Sequence, residues 1–535
     1  MDTLFYFVWK NSFLRSLIRY RVLRDTEINV DNEYLINNHQ YMSVLSPQEK
    51  YQHNISFQWR ISSSKQFTEY LDNAHKHLVD DLDICITNDN ADDDDDDQNG
   101  RQFTDIDCSA FHDGLHKLSF FIDKYTTGYN KLPDTIVNLN IHASCYTTDR
   151  FTSPIVERIL GNLPRDLKAL CLPLSYTISS LLVLPDNLVE FNYSSAYNDF
   201  KQLVVSPNNK DIDGCTLVAQ CAQDLEWASE QSWIKSLQID TPFNLEGKPF
   251  PSQIRNLVVN CQIELDIDSF PSTLESLSIF NCDIPSLLPP RLITLSLEDF
   301  NERLERGLLP SLLENLSIEM FNVEIEAGAL PSSLLKLDLT CFNQPLLAGV
   351  LPNGLEDLNF EEYDQPLLAG VLPNSLKYLS STFFNSVIEP NALPASLTDL
   401  GLYSYSGSLD GVGLLKNLKE LALLKIDASL LPVITSPSIT KLKLSFESID
   451  PSLCLANTFI KYLTLRHNGR MRYKLKANFL PLCLLKLKAT KIDIDSSADI
   501  IPNGCTSLDL DIDKINLNLN FLPKSVKYIN THEPF

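Results

Sequence analysis

His112 and His116 stand four residues apart, a spacing that can set two imidazoles on one helix face and offer them to a metal ion. Nothing nearby supplies further ligands, and none of the nine histidines recurs at a fixed spacing. The pair is therefore expected to be structural or surface. Asp92–Asp97 places six carboxylates in a row. Calcium loops alternate their acids, turn on a glycine and close on a distal glutamate. A homopolymer has no such geometry, and NDNADDDDDDQNG reads as a solvated loop. The twelve cysteines contain no C-x-x-C pair, so zinc-ribbon and dithiol chemistry lack their spacing. Cys215 and Cys505 fall on positions of an apolar pattern and are expected to be small core side chains rather than nucleophiles. No G-x-S-x-G, phosphate-binding glycine loop, H-E-x-x-H or dinucleotide turn occurs. The sequence thus predicts no catalytic centre, no metal and no cofactor.

Partners are bounded by charge. The formal net charge of −25 argues against a general nucleic-acid binder, because phosphate affinity comes from lysine and arginine. No run of 18 apolar residues is present, and no secretory pattern opens the chain, since basic residues follow the apolar LFYFVW instead of preceding it. These features predict an intracellular, cytoplasmic protein with reduced thiols and no transmembrane segment.

The elements that position the remaining side chains come from a repeat. Pro310, Pro331, Pro352, Pro373 and Pro394 are 21 residues apart, each after a leucine. Each opens the template P-x-x-L-x-x-L-x-L, as in LPSSLLKLDL and LPNGLEDLNF. The first apolar position, Leu292, Leu313, Leu334, Leu355, Leu376, Leu397, Leu418, Ile439 and Ile460, keeps the step of 21 even where Leu415 replaces the proline. After a step of 24 come Leu484, Cys505 and Val526. Less regular steps carry the pattern back to Leu115, for about twenty repeats.

L-x-L is a period of two, so Leu337 and Leu339 face one side of a short strand, as Leu358 and Leu379 do one and two repeats later. A lone strand cannot bury that side. Stacked strands pair sideways and line their leucines into one core, each fully buried leucine contributing roughly 1.5–3 kcal/mol. Proline lacks an N–H and cannot sit in the ladder, but it suits the approach turn and is expected to punctuate in place of glycine, of which there are only 17. Phe300, Phe321, Phe342, Tyr363, Phe384 and Tyr405 are also 21 apart and predict a stacked aromatic row on the side of the core away from the strands. The following Asn301, Asn322, Asn343 and Asn385 are expected to hydrogen-bond buried loop backbone.

FNQPLLAGVLPNGLEDLNF at 342–360 resembles a near-consensus copy of the FNIP repeat, a leucine-rich-repeat relative abundant in social amoebae. The resemblance covers roughly 115–531 and is clearest over 292–402. It implies a leucine-rich-repeat-like solenoid, β-strand rich, with one short parallel strand per ~21-residue repeat and a protein-binding role. In the Leu-Pro repeats of bacterial effectors, asparagine comes three residues after the strand; here Phe342 stands there and Asn343 follows, which favours the FNIP pattern.

Residues 1–87 read as a small α-helical N-terminal head and cap, 88–101 as the acidic disordered loop, and 102–531 as the solenoid. In 4–24, Tyr6, Trp9, Phe13, Leu17 and Tyr20 share one helix face, with Arg15 and Arg19 nearly opposite. That helix could cap the first repeat, bind calmodulin or a membrane surface, or dock a partner. A W-K-N-x-x-x-R segment there resembles the leader of many FNIP proteins, but the Leu-Pro opening of an F-box is missing. A second helix is expected near 65–78, and 79–84 fits the strand template.

The function expected is a non-catalytic protein-interaction scaffold. The alternatives are a substrate-recognition subunit of a ubiquitin ligase docking through 1–100, and a calmodulin-binding signalling protein. Contacts are expected at variable positions flanking each strand: Glu356, Asp357, Lys377, Tyr378, Lys419 and Glu420. From Glu298 to Asp364 there are fourteen acids and three bases, and from Pro451 to Lys491 nine bases and no acid. Arg466, Arg470, Arg472 and Lys474 are the positions expected to take an acidic partner.

Overall fold

The structure, a computed structural model, describes all residues except 1–20, 22, 86–104, 123–126, 144–149, 175, 207–210, 246, 282–286, 410, 414, 425–430, 451–452, 477, 495–499, 512–521, 527 and 532–535. It divides into two compact units, the first Met1–Glu246 with Phe250–Ile254, the second Gly247–Pro249 with Arg255–Phe535.

In the first unit the strands Glu27–Val30, Ser56–Ile61, Asp81–Ile84, Lys117–Ile122, Asn138–Ala143, Ala169–Cys171, Glu190–Ala196, Asp213–Ala219 and Ser236–Ile239 form one parallel ladder, each paired with the next. Their connections are unequal and carry the helices Asn32–Met42, Pro47–Gln52, Ser64–Asp72, Pro154–Leu160, Tyr197–Phe200 and Ala222–Ser229. The first three of these helices start where side chains take their orphan N–H groups. Asp31 accepts from the Tyr34 amide at 2.7 Å. Ser46 and Glu49 cap each other across Pro47. The helix expected near 65–78 is broken at Asn73, whose side-chain oxygen takes the His75 amide at 2.7 Å, and resumes as a short 3-10 turn, Lys76–Leu78. The described part of the expected head therefore carries helices together with three strands of the ladder. Helical connections stretch the steps between those strands, which hides them from a search at 21 residues.

The second unit is the regular part. Fourteen described strands, from Asn256–Val259 to Tyr528–Thr531, pair in parallel in chain order. The register sets Leu295, Leu316, Leu337, Leu358, Leu379, Leu400 and Leu421 side by side in one column. Leu334, Leu337, Leu339, Leu355, Leu358, Leu376 and Leu379 are buried, as are Phe342, Pro352 and Pro373. Ser381, where the template fails, is also buried; it sits beside Phe360 in the ladder, so a large side chain and a small one share the space.

The approach turn works through a carbonyl. Pro310, Pro331, Pro352, Pro373 and Pro394 each accept the amide of the leucine three residues on at 3.1–3.2 Å. Leu415 makes the same bond to the Leu418 amide at 3.1 Å, which explains why the register survives loss of the proline. Ser333, Ser375 and Ser396 donate to the carbonyls of Leu313, Leu355 and Leu376 in the preceding turn, at 2.6, 2.5 and 2.6 Å. One expectation needs correcting. Glycine does punctuate: Gly307, Gly328, Gly349 and Gly370, 21 apart, all hold φ between +81° and +86°, and Asn391 takes the next place at φ +62°. Few glycines are present, but these lie in a left-handed bend that a side chain resists.

Candidate functional site

The aromatic row forms as expected. Phe300, Phe321, Phe342, Tyr363, Phe384 and Tyr405 stack in order, with successive ring centres 5.6–6.3 Å apart. The polar residue after each ring does something other than expected. Its side-chain oxygen accepts the backbone amide of the equivalent residue one turn later: Asn301 from Asn322 at 2.8 Å, Asn322 from Asn343, Asn343 from Asp364, Asp364 from Asn385, and Asn385 from Ser406. Most of these positions are exposed, so the ladder pairs surface backbone rather than buried loop. The ring column and this polar column are thus structural and leave no group for chemistry.

The residues singled out as reactive are also structural. The Nε2 of His112 faces the Val79 carbonyl at 2.9 Å and must donate, so Nδ1 accepts from the Tyr70 hydroxyl at 3.0 Å. Burial holds this imidazole down to about 4, so it is neutral at physiological pH. Burial pushes the Cys215 thiol up to about 12 and raises that of Cys505, which suits core side chains and not nucleophiles. Sequence reasoning missed a half-buried polar cluster in the first unit. Asp199 is bonded by Arg150 and by the Ser195 and Tyr193 hydroxyls. Arg150 also donates to the Tyr176 carbonyl, and the Tyr193 hydroxyl shares its one proton between that carbonyl at 2.7 Å and Asp199 at 3.2 Å, which ties this cluster to the backbone. Nothing in the spacing of Arg150 and Asp199, which lies in the short helix Tyr197–Phe200, hints at it in the sequence. Among the described residues, no three His, Cys, Asp or Glu side chains converge to hold a metal ion. No described helix is long and apolar enough to cross a membrane.

What remains is the outward side of the second unit's strands. The columns are fixed by register: Lys336, Asp357, Tyr378, Asp399, Glu420, Lys441, Tyr462 and Lys486 lie side by side. Tyr378, Tyr403 and Tyr462 are 48%, 43% and 44% exposed, too much for side chains that serve the core. Several expected contact residues pair with neighbours on this face. Lys377 meets Glu356 at 2.7 Å, Lys336 meets Asp357 at 3.2 Å, and Glu420 takes both Lys443 at 2.6 Å and Lys441 at 3.6 Å. Exposed pairs of this kind add little stability. Lys419 is exposed beside them.

The expected basic quartet is split. Arg466 and Arg470 are exposed and have no ion-pair partner among the described residues. Arg472 is held inward by Asp493 at 2.6 Å and Asp511 at 2.9 Å, and it donates to the carbonyls of Ile492 and Asp511. It is a clip between turns and cannot serve a partner freely. Lys474 lies in the short strand Tyr473–Lys474, which pairs with Ile492–Asp493 apart from the main ladder. Trp9, Phe13, Arg15, Leu17 and Arg19 lie outside the described residues, as does Asp92–Asp97. The calmodulin reading thus falls outside the described residues, and the ligase-core reading, through 1–100, falls partly outside them.

The family model described as FNIP Repeat matches residues 300–341 and 342–380. No curated protein sequence matches the chain. Among solved structures, the chain is similar to CroV588, titled a novel circular LRR protein, at 20% identity over 89% of this chain and 74% of that one, with a TM-score of 0.43. It is also similar to the TLR13–ssRNA13 complex at 15% identity over 88% and 70%, TM-score 0.38. The mouse RP105/MD-1 complex matches at 13% identity over 85% and 70%, TM-score 0.32. Residues 300–380 thus carry two matched FNIP repeats, and the register that joins them continues through the surrounding strands of one parallel repeat solenoid.

Proposed function

We propose that the chain is a non-catalytic protein-interaction scaffold that binds partners on the outward face of the second unit's strands. One observation carries this reading. Parallel sheets are ordinarily covered on both faces, whereas here one face packs the leucine core and the other presents exposed Tyr378, Tyr403 and Tyr462 among charged side chains. Half-exposed tyrosines bordered by charges are the composition of a contact surface, because the ring brings area at little entropic cost and the rim sets specificity. The repeat plan supports it too, since the leucine columns recur while the outward columns differ from turn to turn.

The test is affinity capture with the full chain and with Tyr378→Ser/Tyr403→Ser. The proteins retained by the wild type should be lost from the variant, with the melting curve unchanged. A variant that keeps the same set of partners overturns the strand-face reading.

A further inference from the structure

The clearest charge feature of this face lies on three neighbouring strands, Lys441–Phe446, Tyr462–His467 and Lys486–Thr490. Register puts Lys441, Tyr462 and Lys486 in one outward row, Lys443, Thr464 and Lys488 in the next, and Ser445, Arg466 and Thr490 in the third. Lys461, immediately before the middle strand, is exposed. The borders are closed by the chain's own carboxylates: Glu420 pairs with Lys441 and Lys443 on one side, and Asp509 pairs with Lys488 at 3.2 Å on the other. Between them, Lys461, Lys486 and Arg466 have no ion-pair partner among the described residues. Of Arg466, Arg470, Arg472 and Lys474, the residues expected to take an acidic partner, only Arg466 lies in these rows.

We propose that this patch binds a short acidic peptide segment of a partner protein, with an apolar side chain of that segment against Tyr462. The inference rests on the scaffold reading and names the partner's chemistry. Size and charge choose the occupant. The strands bearing Glu420 and Asp509 are four ladder steps apart, about 19 Å at the usual strand spacing, which is the length of about five or six extended residues. A nucleic acid draws its affinity from roughly 6–10 phosphate contacts and would overrun this patch onto Glu420, Asp399 and Asp509. A peptide with a few carboxylates ends before them. Lysines give point charges without the planar fork that selects bidentate groups, so carboxylates spread along a strand suit them. Tyr462, half-exposed in the middle of the row, offers the apolar anchor that charge alone lacks.

The experiment is fluorescence anisotropy on the full chain, with a labelled peptide of four glutamates around a central phenylalanine in low-salt buffer. Lys461→Glu/Lys486→Glu should raise Kd by about tenfold or more, with Arg470→Glu, outside the patch, near wild type. Tyr462→Ser should weaken this peptide and leave an all-glutamate peptide unchanged. Unaltered melting curves will show that the variants fold, and Lys461→Gln/Lys486→Gln should show the smaller loss of neutralisation. No binding by wild type, equal binding by the reversal variant, or displacement by an oligothymidine at equal concentration would each overturn the proposal. Failure here with continued dependence of partner capture on Tyr378 and Tyr403 removes only the acidic segment. Failure of both removes the scaffold reading itself.

Discussion

The side-chain oxygen of Asn322 accepts the backbone amide of Asn343 at 2.9 Å, one turn further along the solenoid. Asn343 then repeats the act for Asp364 at 2.9 Å and also takes the Gln365 amide group at 3.1 Å. The polar residue after each ring is thus a staple between turns. Asn343→Ala should cost about 1 kcal/mol, the net worth of an ordinary hydrogen bond, and expose the Asp364 amide. Hydrogen exchange at that amide is the readout. Asn343→Asp should keep its protection, because Asp364 already performs the same task for Asn385.

Gly354 stands where Ser333, Ser375 and Ser396 donate to the preceding turn. A Cβ there would lie 3.5 Å from the Ser332 carbonyl oxygen, an ordinary contact, and near the Leu334 carbonyl that a serine would reach. Gly354→Ala should stabilise by about 0.5 kcal/mol through the unfolded chain, and Gly354→Ser by about 1 kcal/mol more through the new bond. Chemical-denaturation midpoints compare the three. A serine no better than alanine means the hydroxyl does not reach.

Leu358 is wholly buried between Leu337 and Leu379. Leu358→Asp places an unpaired carboxylate there and should cost on the order of 4 kcal/mol or more, unfolding the adjoining turns. Circular dichroism and a melting curve equal to wild type would show that the register is wrong.

Burial raises the Asp81 carboxyl to about 6; Lys117 pulls it down and Glu27 and Asp83 push it further up. Its folded value lies above its unfolded one, so its contribution to stability is present in full below about pH 4 and lost as pH rises through about 6. Asp81→Asn should therefore gain on the wild type between pH 4 and pH 7, by on the order of 2 kcal/mol. Paired melting curves across that window give the difference and cancel every other group. A constant difference contradicts the assignment.

Much of the second unit is legible in the sequence because its turns are equal. A step of 21 names which leucines stand side by side, and Leu337, Leu358 and Leu379 do. The aromatic row is legible for the same reason. The first unit is less so. Glu27 stands opposite Ser56 and Gln58 opposite Asp81, steps of different length that no single period finds. The low glycine total hides the glycine turn, although Gly307, Gly328, Gly349 and Gly370 are 21 apart.

The sequence by itself determined the stack. Repeating apolar positions can be buried only by repeating the strand, so the leucine spacing compels a parallel ladder and its register. Tertiary structure alone decided how the charges are spent. Arg472 looked like part of a basic surface, since no acid lies between Pro451 and Lys491, yet Asp493 and Asp511 from later turns draw it inward. Lys461 and Lys486, two of the nine bases of that stretch, have no ion-pair partner among the described residues. Coulomb attraction acts over ångströms in space rather than residues in chain. Which lysines and arginines remain available to a partner is therefore settled only when the turns are laid against each other.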